Sequence, residues 1–419
     1  MNNLMMDGFL ASIIAAESFY GARAILHGPG GCSDYSTRIS SMIVPRDHKV
    51  ISGPFFFNNP RVPCTFVDEE DYVNGADYKI TQLLDRIDDA DLCIIIQSPG
   101  MALIGDDLNG AISRSSYEGD CVVIEESHMS EPTHIGYDIA VSEIVKGFCR
   151  KKDTVKGRVN ILGLPVILHG WETTAEELRS YIEAMGLELC ASVGSGCSVR
   201  ELKDSSAAEI NISVIPEYCR KTSESYSDLG IQTIFPEIPI GFENTAKWIC
   251  AVAYYFDVSP EPALDILKKS QRRAKRLLEG SSMKGFSVRC STYSMNIDSE
   301  LTLPLMEWLY SYLFMFPECV VVKDWWSAEF RERLTGFLTG INRTEVTGKD
   351  IDSTRVDVMF ADGISAEFMQ KKEICSAGID MWMPTMHTLP FVEKPILGAK
   401  GALRILDDVF RLIQRSLYH

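Results

Sequence analysis

The chain has 419 residues, 46% of them hydrophobic and 24% charged, which excludes a disordered or fibrous protein and predicts two or three domains. Its 41 Lys and Arg against 58 Asp and Glu leave a net charge of −17. Such a surface repels nucleic-acid phosphates and anionic lipid heads, so neither nucleic acid nor a membrane is expected as a partner.

The predicted elements run in chain order as strand, loop and helix units. Residues 1–20 lack a basic segment, and Asp7 and Glu17 interrupt their apolar run, so no secretory leader is read there. Residues 24–26 (AIL) predict a strand before the loop HGPGGC. Residues 91–97 (DLCIIIQ) predict another, followed by SPGMALIGDD and a helix. Residues 121–124 (CVVI) predict a third, leading through acidic residues into HIGYDIAVSEIVKGF, whose apolar spacing is helical. The charged stretch 151–158 (KKDTVKGR) marks a boundary.

A second series follows. Residues 159–168 (VNILGLPVIL) predict a strand, and WETTAEELRSYIEAMG a helix with Thr173 or Thr174 as N-cap and Gly186 as its stop. LELCASVG predicts the next strand, and residues 260–279 a long charged helix. After a boundary at 280–285 come a strand at 286–289 (FSVR), an apolar helix at 303–316, the strands ECVVVKD and DVMFADG, a helix near 364–370, and an amphipathic helix over 398–417. This alternation predicts parallel sheets in three α/β domains, residues 1–155, 156–280 and 281–419. The apolar runs 248–256 and 308–316 are nine residues long, against about 20 for a membrane span. A cytoplasmic location is expected.

Twelve cysteines are present, and the closest two in sequence, Cys190 and Cys197, are seven apart. No CxxC occurs, which excludes zinc-ribbon and ferredoxin-type ligand runs. Most of these thiols read as small core residues. Any metal site must gather distant residues, or residues from two chains.

Chemistry belongs in the loops beyond the carboxyl ends of the strands. In HGPGGC, Gly28, Gly30 and Gly31 let the backbone approach something closely. Cys32 closes the loop and is either a ligand to a soft metal or cluster, or a small buried residue of a turn. Asp7 precedes an apolar helix and reads as its N-cap or as a carboxylate ligand near Cys32. Gly105, Asp106 and Asp107 can cap the next helix and orient an interface, or the two adjacent acids can bind a divalent cation. Glu125, Glu126 and His128 follow a strand and can donate protons, or form a solvated loop. Cys219 (PEYCRK) is a ligand or a bystander. His387 (MWMPTMHTLP) is a metal ligand, a proton donor or a core histidine. No GxxxxGK[ST], HExxH, GxSxG or intact GxGxxG is present, so no ATP is expected to bind this chain directly.

Taken in order, these segments resemble the nitrogenase component 1 family: the α and β subunits of the molybdenum–iron protein and their relatives in chlorophyll and coenzyme F430 synthesis. HGPGGC is similar to the family's HGPxGC loop, EEDYVNGADYKI to its E-D-x-V-F-G-G element, and ALIGDDLNG to its IGDD element; HIGYDIA and KPILGAKGALRIL resemble later segments. The resemblance implies three Rossmann-like parallel-sheet domains around a central cavity. It also implies an oligomer, homodimeric or heteromeric with another component 1-like subunit. A [4Fe-4S] cluster would lie at the subunit interface, with electrons supplied by a separate ATP-hydrolysing iron protein. Cys32 matches a cluster-ligand cysteine, and Asp7 stands where the family's first ligand cysteine falls. The third is expected near Pro99 or Gly100, where this chain has none. His387 is similar to a cofactor-binding histidine and Cys219 is loosely placed against a cofactor-binding cysteine; a further metallocofactor or a tetrapyrrole would occupy the cavity, lined by Glu125 and Glu126. The expected function is the catalytic component of a nitrogenase-like reductase. The alternatives are a metallocofactor-assembly scaffold or ligand-poor partner subunit, and a relative without a cluster that keeps only the fold.

Overall fold

A computed structural model describes residues 6–43, 61–88, 90–283, 288–297, 299–383, 385 and 392–416. The chain begins α1 (Gly8–Glu17), β1 (Ala22–His27), α2 (Gly30–Ile43), α3 (Asp71–Asn74), α4 (Asp77–Leu84), β2 (Leu92–Gln97), α5 (Leu108–Arg114), β3 (Asp120–Ile124) and α6 (Thr133–Phe148). It continues β4 (Arg158–Leu162), α7 (Trp171–Ala184), β5 (Glu188–Ser192), α8 (Val199–Asp204), β6 (Ile210–Ser213), α9 (Arg220–Asp228), β7 (Gln232–Ile234), α10 (Gly241–Phe256) and α11 (Glu261–Met283). It closes with β8 (Thr292–Met295), α12 (Ser299–Trp308), β9 (Phe316–Val320), α13 (Ala328–Gly340), β10 (Val356–Asp362), α14 (Gly363–Lys371), β11 (Cys375–Trp382) and α15 (Gly398–Ser416).

The strands form three sheets, in the orders β1-β2-β3, β5-β4-β6-β7 and β11-β10-β8-β9. Every pairing is parallel. The chain divides into two compact units. Residues 6–166 and 188–235 carry the first two sheets, and residues 167–187 and 236–419 carry the third.

In the first unit, β2 (LCIIIQ) is buried along its whole length, as a strand covered on both faces requires. Helix α1 is buried all round, so its sequence lacks a polar stripe. It packs on α6 through glycine. A Cβ on Gly136 would lie 2.1 Å from the Gly8 carbonyl oxygen. Ser12 Oγ lies 2.8 Å from the Gly8 carbonyl of its own helix and 3.0 Å from the Gly136 carbonyl across this contact, and its one proton is shared between them. At the far end of α1, the buried Glu17 carboxylate accepts from the Ala24 amide (3.0 Å) and from Arg61 Nε (2.7 Å). That pair fastens residues 61–67 along the free edge of β1, where Leu26 bridges Cys64.

In the second unit, the N-terminus of α15 rests on a carboxylate from α7. The amides of Ala399 (3.2 Å) and Lys400 (3.1 Å) donate to Glu177, as does the Tyr181 hydroxyl (2.6 Å). This satisfies helix-end donors and places negative charge at the positive end of the helix. Gly398, at φ +75°, is required there, because a Cβ would lie 2.3 Å from Glu177 Oε2.

Several predicted elements shift. β4 stops at Leu162 because Gly163 turns at φ +74°. The N-cap of α7 is Gly170, at φ +62°, so Thr173 and Thr174 lie inside the first turn. Val288 and Arg289 are not strand residues; a turn with Cys290 at φ +66° delays β8 to Thr292. The apolar run predicted as one helix over 303–316 ends as a helix at Trp308, passes through a π turn, and gives Phe316 to β9. All twelve cysteines are free thiols. Among the described residues, no helix is long and apolar enough to cross a membrane.

Gly136→Ala is expected to destabilise the first unit by about 2–4 kcal/mol, because backbone cannot move aside as a side chain can. Urea unfolding followed by circular dichroism measures this, and a change within about 0.5 kcal/mol would refute the close α1–α6 contact.

Candidate functional site at the carboxyl end of the first sheet

Three loops leave the carboxyl ends of β1, β2 and β3. The first is HGPGGC, which turns from His27 directly into α2. A Cβ on Gly28 would lie 2.5 Å from Ser98 Oγ, and one on Gly30 would lie 2.8 Å from the Phe66 ring. Two of the three glycines thus serve packing against the protein's own loops. Gly31 is exposed and faces open space.

His27 fixes this loop. Its ring is fully buried, with Nδ1 3.0 Å from Thr65 Oγ1 and Nε2 2.8 Å from Asp106 Oδ2. A neutral imidazole that donates from Nε2 and accepts the Thr65 hydroxyl at Nδ1 satisfies both contacts. Burial lowers its pKa, and the Asp106 carboxylate opposes that shift only in part. The Gly28 amide donates to Thr65 Oγ1 (3.0 Å), and Asp106 also accepts from the Ala76 amide (3.0 Å). Of the two adjacent acids, Asp107 caps α5 by accepting from the Gly110 amide (2.9 Å), whereas Asp106 holds His27.

Cys32 stands half-buried in the first turn of α2. Burial first, and the charge of Asp7 second, hold its thiol above the usual range. Asp7 caps α1, accepting from the Leu10 amide at 2.9 Å. Cys64 also lies near enough to interact with Cys32, and is already engaged: its thiol donates to the Gly28 carbonyl (2.9 Å), and its sulfur accepts from the Phe66 amide (3.3 Å). Burial pushes it up to about 11.

The loop after β3 reaches the same end. Glu125 and Glu126 are exposed. His128 adopts φ +50°, unfavourable for a side chain with a Cβ. Its ring is mostly buried, 4.0 Å from Glu126. Its carbonyl sits so close to α1 that a Cβ on Gly8 would be 2.5 Å away. The fold therefore gathers Asp7, Cys32, Cys64 and loop 125–131 at one end of one sheet.

Cys219 belongs to the second sheet. It is fully buried beyond β6, 3.2 Å from Ser213 Oγ, and a Cβ on Gly163 would lie 2.9 Å from its sulfur. It fills the crevice where the strand order reverses, and the structure does not bring it to Cys32. His387 lies outside the described residues. Nothing local in the sequence marks His27, Thr65 and Asp106 as the anchors of the site. His27 and Asp106 are 79 residues apart, with only the two loop motifs to mark them.

The donor set is small. Among the described residues, no group of three or more His, Cys, Asp or Glu side chains is arranged to hold a metal ion. A cysteine at position 100 would meet the Tyr72 ring, 3.0 Å from the Cβ position. Of the two cysteines gathered here, Cys64 is held by the Gly28 carbonyl and the Phe66 amide, which leaves Cys32 as the candidate ligand.

Residues 8–414 match the family model of nitrogenase component 1 type oxidoreductases. The chain belongs to this family. The B subunit of the light-independent protochlorophyllide reductase of Leptolyngbya boryana is 21% identical over 96% of this chain and 81% of the relative. Its counterpart from Heliobacterium modesticaldum is 21% identical over 99% of this chain and 79% of the relative. A solved structure of nitrogenase Cp1 at pH 6.5 superposes with a TM-score of 0.82 at 15% identity, covering 100% of this chain and 94% of that one. This component 1-type oxidoreductase thus has the nitrogenase fold of three parallel-sheet domains.

Two outcomes follow from the electrostatics. Asp7→Asn keeps the helix cap but removes the charge beside Cys32, so alkylation of Cys32 in the metal-free protein at pH 7.5 is expected to quicken roughly two- to tenfold. An unchanged rate, with the site read by mass spectrometry, would separate the two groups. His134, in the first turn of α6, is pushed down to about 4 by burial first and Arg220 second. The unfolded imidazole takes up its proton near pH 6.5, so the stability it contributes is present above that pH and is lost as pH falls towards 4. His134→Phe is expected to flatten the unfolding free energy over that window, by at most about 3 kcal/mol. An unaltered pH profile would contradict this.

Proposed function

We propose that this chain is the catalytic component of a two-component, ATP-dependent reductase, receiving electrons from a separate ATP-hydrolysing iron protein. The observation that carries the reading is the half-buried Cys32 thiol on the rim of a loop locked from behind by His27, with Asp7 beside it. Cys32 would be this chain's ligand to a [4Fe-4S] cluster whose other ligands come from a second chain, with Asp7 as the nearest carboxylate. Such a cluster supplies single electrons at a potential set by its ligands and exposure. Metal binding must displace the thiol proton that burial and Asp7 retain, so loading depends on pH. The exposed Glu125 and Glu126 are candidate proton donors, with His128 placed against them and His387 as a further candidate. The names of the relatives support a conjugated tetrapyrrole as the first substrate class to test.

A second reading is a ligand-poor partner subunit or assembly scaffold. The absence of a cysteine at Pro99–Gly100 and the packing of Tyr72 against that turn favour it.

Iron and sulfide assays on anaerobically purified protein test the first reading. About four irons per pair of chains are expected, lost in Cys32→Ala and kept in Cys219→Ser. Iron that survives Cys32→Ala would overturn the assignment of Cys32. Iron seen only on co-expression with a second component 1-type subunit would support the partner reading.

A further inference from the structure

The groove between α11 and α15 is chemically unlike the rest of this acidic chain. Its volume is about 440 Å³, within the range of small-molecule pockets. Leucines from both helices and Phe410 make it mostly apolar, and its polar lining is Arg273, Lys400, Arg404 and Asp407. Arg273 and Lys400 have no ion pair among the described residues. Arg404 is only 9% exposed, paired with Asp380 and, through Nε, with Asp408 at 2.7 Å. Its Nη1 is buried with no hydrogen-bond partner among the described residues. Asp407 is largely exposed and faces Arg411 at 3.8 Å.

The sequence concentrates positive charge at this groove. Residues 268–276 (KKSQRRAKR) carry six cations and no acid, in a chain of net charge −17. Only Lys268 among them has ion-pair partners among the described residues, Glu261 and Asp265. Arg273 belongs to both the basic stretch and the groove. The local field therefore draws anions towards an apolar slot.

We propose that this groove binds an amphipathic monoanion: a carboxylate on an unbranched apolar body of about ten to fourteen carbons. The carboxylate is neutralised by the exposed Arg273 and Lys400 at the groove, above the buried Arg404 guanidinium; charge-assisted bonds of this kind are the strong ones. The hydrocarbon body lies along the leucines and Phe410. A neutral lipid would leave Arg273 and Lys400 without a counter-charge, and a nucleotide would set its polar body against leucine.

Calorimetric titration of the full chain with dodecanoate, below its micellar concentration, tests this. One site per chain is expected, with a dissociation constant on the order of 10 μM. Dodecanol and dodecyltrimethylammonium are expected to bind about tenfold or more weakly. Arg273→Gln with Lys400→Gln changes only surface charge, spares Arg404, and is expected to weaken dodecanoate about tenfold. Absence of dodecanoate binding, equal binding of dodecanol, or undiminished binding by the double variant would each overturn the proposal. None of these readouts involves iron, so they stand apart from the reductase reading.

Discussion

The candidate site depends on one buried imidazole. His27 ends β1 and is gripped from two sides, by Thr65 of the segment along the strand's edge and by Asp106 of the loop after β2. Its neutral ring links three stretches of chain that are distant in sequence. The Gly28 carbonyl and amide are engaged by the same segment, accepting from Val67 and donating to Thr65. The turn into α2 is therefore fixed before any ligand arrives. Cys32, one short turn later, inherits that rigidity.

The donor inventory follows from the same packing. Cys64 lies nearby, but its sulfur serves the backbone of Gly28 and Phe66. Asp7 closes the first turn of α1, so one carboxylate oxygen is occupied by the Leu10 amide. Of the two cysteines at this end of the first sheet, Cys32 is the one whose thiol is not taken up by backbone groups among the described residues. The chain belongs to the nitrogenase component 1 type oxidoreductases, and the relatives it resembles are named as B subunits of a reductase.

Local signals were legible in the sequence. The cap at Asp7, the strand–loop–helix at HGPGGC, the cap at Asp107 and the basic helix α11 each rest on residues within a turn or two of one another. The parallel sheets followed from alternation. What was hidden depended on distant partners. Asp106 looks like the second half of a capping pair until His27 is brought to it. The αL glycines at 163 and 170 ended one strand and began one helix where apolar pattern alone predicted otherwise. Cys219 carried no sign that it would fill a crevice beside Gly163. The glycines of the loop read as room for a ligand, whereas Gly28 and Gly30 make room for Ser98 and Phe66.

The most direct measurement is an anaerobic crystal structure of the assembled protein. The account requires Cys32 Sγ bonded to iron at a boundary between two chains, with Gly31 against that boundary and His27 still bound to Asp106. A Cys32 thiol bonded to nothing, in an assembly whose chain boundaries lie elsewhere, would contradict it.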